Sequence, residues 1–153
     1  MTAKDYLKQL WRIDHEIDAK QILLDNLRSK ALIPQMPDNQ DRVIGSGYSQ
    51  DHISDYIAKI VDMEKLIDRK TKKLVKLKAT ILTQIEGITG KTESERQIYR
   101  IILTCRYVLY MKDWEEIGRL AGYSRSQVHH WHGKALQVFE AQYLKKKNRI
   151  ETD

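Results

Sequence analysis

Apolar residues recur at alternating steps of three and four along two long stretches of the chain. From Ala3 the steps land on Tyr6, Leu10, Ile13, Ile17, Lys20, Leu24, Leu27 and Ala31, all apolar or small except Lys20. This period predicts a helix over about residues 2–32 with a heptad seam. Leu7, Trp11, Leu23 and Leu32 widen the stripe beyond what a two-stranded seam needs. Thr2 and Asp5 stand at the spacing of a capping box at its start. A second run over about residues 51–86 steps through Ile53, Tyr56, Ile60, Met63, Ile67, Lys70, Leu74, Leu77, Ile81, Gln84 and Ile88. Such a helix would extend about 50 Å. Between the two runs, residues 33–50 contain both prolines, Gly45 and Gly47. That stretch reads as a loop, long enough to be functional or mobile.

Two heptad helices joined by one loop fold back most simply as an antiparallel hairpin. The second is longer, so part of its seam is surplus, and a second copy of the chain is the simplest cover for it. Gly87-Ile88-Thr89-Gly90 predicts a helix stop and a hinge.

Beyond residue 90 the pattern changes. Thr92 with Glu95, Asp113 with Glu116 and Ser124 with Gln127 are three successive N-cap patterns. They predict helices over about 93–110, 114–121 and 125–146. The last two are joined by Ala121-Gly122-Tyr123-Ser124, where Gly122 supplies the left-handed position of a tight helix-turn-helix. Ile117, Leu120 and Ala121 give the first of them a buried stripe. Val128, Trp131, Ala135 and Leu136 do the same for the second. Its other face carries Arg125, Ser126, Gln127, His129, His130 and Lys134, donors and acceptors suited to base edges and phosphates in a major groove.

Composition and charge sharpen this division. Only 2 Pro and 7 Gly in 153 residues are too few for the turns of an all-β domain, so the expected fold is all-α. The net charge is +6. Residues 1–90 hold 15 Lys/Arg against 13 Asp/Glu, and residues 91–153 hold 12 against 8, so most of the excess lies in the shorter part. Two regions are expected: a helical hairpin for oligomerisation or interaction over 1–90, and a helix-turn-helix DNA-binding domain over 91–153. Cys105 alone excludes a disulfide framework and suits a reducing compartment. No apolar run approaches a membrane span and the N-terminus is charged, so no membrane segment or leader is expected.

The stretch RYVLYMKDWEEIGRLAGYSRSQVHHWHGKAL resembles the fourth region of the housekeeping sigma factors. The match rests on Arg106, the pair Glu116-Ile117, Gly122, Ser124 and the ending Lys134-Ala135-Leu136. With AKDYLKQLWRIDHEIDAK and MPDNQDRVIGSGYSQDHISDYIAKIVDMEKLID, the chain is similar to the small ArpU-like or RinA-like late-gene transcriptional regulators of phages and prophages of Gram-positive bacteria. Together the three stretches cover most of residues 3–136. The resemblance implies sequence-specific binding of double-stranded DNA at a promoter or operator, in the cytoplasm of a bacterial host. It implies base contacts from Arg125, Ser126, Gln127, His129 and His130, and phosphate contacts from Lys134 and Arg119. It also implies contact with host RNA polymerase; the surplus seam of the hairpin implies a homodimer or higher oligomer formed through it. His129 and His130 depart from the sigma pattern and predict pH dependence of binding near the imidazole pKa of about 6.5.

Each feature has a plainer counterpart. Arg125, Gln127 and Lys134 also fit a solvated helix face. His129, His130 and His132 suggest a metal, but a zinc site needs three or four placed ligands, so none is expected. Trp114, Trp131 and Cys105 read as core. Lys72, Lys73, Lys76 and Lys78 read as a charged exterior, and Lys145–Arg149 as either a phosphate contact or a solvated tail. No phosphate loop, nucleophile elbow or carboxylate pair points to catalysis, and no cofactor is expected. Two alternatives to regulation remain open: a small terminase-like DNA-packaging protein, and a sigma-like module that grips RNA polymerase.

Overall fold

The computed structural model describes residues 1–32 and 48–145. Among these residues the chain is all-α, with no strand. Helix α1 spans Ala3–Leu32 and α2 spans Tyr48–Glu86. α3 spans Glu93–Leu103 and continues as a π-helical turn over Thr104–Val108. α4 spans Trp114–Ala121. α5 spans Arg125–Phe139 and also ends in a π-helical turn, Glu140–Leu144. The expected loop 33–50 falls outside the described residues, except that Tyr48, Ser49 and Gln50 already belong to α2. Most of the basic tail, from Lys146 onward, lies outside them too.

The caps form where the spacing puts them. Thr2 Oγ1 accepts from the Asp5 amide (3.1 Å), and Thr92 Oγ1 accepts from the Glu95 amide (3.1 Å). Asp113 Oδ1 accepts from Glu115, one residue earlier than the box pattern (3.0 Å). Ser124 and Gln127 form a reciprocal capping box. The expected helix over 93–110 instead widens into its π turn. There Leu109 N–H donates to the Thr104 carbonyl, five residues back, at 2.9 Å.

Packing divides the chain into two compact units. One contains the described residues between Asp14 and Lys73. Within it Leu24 is buried, and both lysines of the heptad seams converge on one carboxylate. Lys70 lies 3.0 Å and Lys20 3.6 Å from Glu16 Oε1, and these cations hold the Glu16 carboxyl below its ordinary pKa, Lys70 foremost. Arg28 pairs with Glu64 at 2.8 Å. As positions rise along α1 their partners fall along α2, the order that an antiparallel pairing gives.

The other unit contains Met1–Ile13 together with the described residues from Leu74 onward. Its larger core joins Leu7 and Leu10 of α1, Ile81, Ile85 and Ile88, Tyr99 and Leu103 of α3, Tyr107, Val108, and Ala135 and Phe139 of α5. The surplus seam of α2 is therefore covered by the same chain, and a second copy is not needed for it. Residues 74–90, read with the long helices from their heptad pattern, pack with the C-terminal helices. The Gly87–Gly90 stop is fastened: the Gln142 amide donates to the Gly87 carbonyl (2.8 Å) and accepts from the Thr89 amide (2.9 Å). The expected hinge is a latched corner. A second core of Ile98, Ile102, Cys105, Ile117 and Val128 lies beneath α4 and α5.

Candidate nucleic-acid interface

The corner between α4 and α5 is built on two glycines. Gly122 adopts φ 77° and ψ 28°, the left-handed conformation that favours glycine. The amides of Gly122 and Tyr123 both turn back to the Gly118 carbonyl, the latter at 2.9 Å. Gly118 is equally necessary, because a β-carbon there would meet the Tyr123 carbonyl oxygen at 2.6 Å. Sequence reasoning passed over Gly118. The signal was a second glycine one helical turn before the first, on the inward arc beside Ile117.

Ile117 and Val128 are fully buried and hold α4 against α5. Leu120 was expected in the same stripe but is 59% exposed. Ile117, Gly118 and Ala121 already fill the inner arc of this two-turn helix, which leaves position 120 at its edge. Trp131 packs against both cores, Tyr99 lying 6.0 Å away and Tyr123 6.1 Å away between ring centroids. Cys105 is buried as expected, and burial pushes its thiol pKa up.

Opposite that packed side, Arg125, Ser126, Gln127, His129, His130, Gly133 and Lys134 are all exposed, and so is Arg119 on α4. Gln127 is only partly available. Its Oε1 accepts from the Ser124 amide at 3.0 Å within the capping box, leaving its amide nitrogen for other partners. Lys134 Nζ stands 5.1 Å from the Trp131 ring centroid. No neighbouring group lies within 4 Å of a β-carbon built at Gly133.

The histidines separate by environment. The His129 ring packs on Trp114 at 4.5 Å, and the His132 ring lies 4.7 Å from the same indole. His132 is half-buried, and a 2.8 Å hydrogen bond joins its Nε2 to the Tyr107 hydroxyl. Burial, reinforced by Arg106, Lys4 and His129, lowers its pKa to about 4. His132 is thus a neutral packing residue at pH 7. The Arg106 guanidinium stands 4.8 Å from the Trp114 centroid and donates to the Met111 carbonyl at 2.9 Å.

No family model, curated protein or solved structure matches the chain. Among the described residues, no helix is long and apolar enough to cross a membrane.

Proposed function

We propose that this protein is a sequence-specific DNA-binding regulator of transcription, an activator of phage or prophage late genes acting in the cytoplasm of a bacterial host. The observation that carries the reading is the glycine-built corner between α4 and α5. It leaves one face of α5 packed and the opposite face polar, cationic and exposed. In a helix-turn-helix the second helix enters the major groove with its N-terminal residues at the base edges. Arg125 then reads guanine through its forked donors. Ser126, His129 and His130 lie along the same face. Gln127 contributes only as a donor through its free amide nitrogen. Arg119 and Lys134 meet phosphates, which fix register without reading sequence.

A single motif of this size makes few base contacts, and two copies reading two half-sites multiply specificity. Ile53, Ile57 and Val61 support pairing of copies. They form an i, i+4, i+8 row on α2 and are 47%, 53% and 39% exposed. Host RNA polymerase is a further partner in this reading.

Selection of bound duplexes from a random pool tests the proposal. A palindromic or tandem motif is expected, with affinity falling linearly in log salt. Arg125→Ala should cost about 1–3 kcal/mol and relax specificity at one position. An unenriched pool, or an unchanged footprint and affinity for the Arg125→Ala protein, would overturn it. Polymerase binding without any salt-dependent DNA binding would instead identify a polymerase-gripping module.

A further inference from the structure

Away from the outer face of α5, the unit that contains Met1–Ile13 and the described residues from Leu74 onward carries an open hollow of about 360 Å³. Four cations line it: Lys8 and Arg12 from α1, Arg106, and Lys112 just before α4. Three aromatic residues complete the wall: Trp11, Tyr107 and Tyr110. None of these lining residues is acidic. Asp5 lies outside the lining; the Thr2 hydroxyl, foremost, with Arg12 and Lys8 keeps its carboxylate ionised, and it offsets part of their charge.

The hollow is held in shape from several sides. Arg106 is fixed by the Met111 carbonyl and the Trp114 ring. Tyr107 is buried and tied to His132. Tyr110 has φ 58°, a left-handed conformation that bulky residues seldom adopt, and such positions concentrate at ligand clamps and switch regions. Its ring packs against the core around Phe139. Trp11 is 41% exposed although it sits beside a fully buried Leu10.

We propose that this hollow is a binding site for a free nucleotide, whose phosphates lie among Lys8, Arg12, Arg106 and Lys112 and whose base lies against Trp11 and Tyr110. A lining of four cations and no acid selects phosphate, with the Arg forks matching its oxygens. Aromatic surfaces beside them select a flat base over inorganic phosphate. The volume sits at the small end of ligand pockets, which suits one nucleotide and excludes an extended peptide. The inference does not depend on the DNA reading, since neither Arg125 nor the outer face of α5 takes part.

Calorimetric titration of the whole chain with ADP, GDP, CDP and UDP, beside pyrophosphate and adenosine, tests it. At least one diphosphate should bind with a dissociation constant below about 1 mM. It should bind about tenfold tighter than pyrophosphate or the nucleoside. Arg12→Ala and Lys112→Ala should each weaken it several-fold. Trp11→Ala should shrink the gap between nucleotide and pyrophosphate. All three side chains are exposed, so unchanged thermal unfolding verifies the fold of each variant. The proposal is overturned if no diphosphate binds, if pyrophosphate binds as tightly as the nucleotide, or if Arg125→Ala weakens nucleotide binding as much as Arg12→Ala does. It is also overturned if Arg12→Ala and Lys112→Ala leave nucleotide titrations unchanged and instead lower duplex affinity and its salt slope, which makes the hollow a backbone contact.

Discussion

Replacing Gly118 by valine should lower stability by about 1–3 kcal/mol, because any β-carbon there meets the fixed Tyr123 carbonyl and a branched one must displace the corner. A denaturant melt checks this; an unchanged midpoint would show that the turn yields easily. At His132 the relevant variable is pH. Its folded pKa of about 4 lies below the ordinary 6.5, so the folded state disfavours the proton. The stabilisation is present above pH 6.5 and is lost as pH falls toward 4. The melting temperature should drop across that window, and His132→Gln should flatten the drop, the difference between the two proteins removing the carboxylate contribution. At this scale the sequence showed chemistry without neighbours. The exposure of Arg125, His129 and Lys134 was legible because they sit at fixed steps after Ser124. The Tyr107–His132 bond and the Arg106–Trp114 stack were not, because each joins residues from elements whose approach no local period encodes.

Helices were the most legible level. Every seam position of α1 from Ala3 to Ala31 is buried or half-buried, because one period governs both sequence and packing. The caps placed the starts of α3, α4 and α5 to the residue, since a side-chain oxygen must meet an orphan amide. Helix ends were less legible: the π turns after Leu103 and Phe139 depend on how the next segment packs and carry no residue signature. Within α5, Gly133 is exposed with open space around it. Gly133→Ala should therefore raise stability by up to about 1 kcal/mol. Thermal unfolding reads that gain. A more stable variant with weakened duplex binding would place position 133 against DNA, and one with unchanged binding would remove it from the contact.

Over the whole molecule, the long seam of α2 misled in one respect. Heptads report that a face is buried and do not report by what. Ile81, Ile85 and Ile88 meet Leu7, Tyr99 and Phe139, not a second chain. A fragment of residues 91–153 would leave Tyr99, Leu103 and Phe139 uncovered on one side. It should show no cooperative melt, whereas residues 1–13 joined through a short flexible linker to 74–153 should unfold in one transition. Cooperative unfolding of the shorter fragment would refute this account of the core.

The chain leaves that unit after Ile13 and re-enters it at Leu74, and both crossings fall inside uninterrupted helices. In chain order, the stretch between Ile13 and Leu74 is thus inserted within one folding unit. Removing one heptad from each helix, on either side of the 33–47 segment, shortens the excursion while leaving every residue of the core around Phe139 in place. Length between Ile13 and Leu74 is therefore adjustable in whole heptads, provided both helices lose the same number. Natural variants of this chain should differ in size there first.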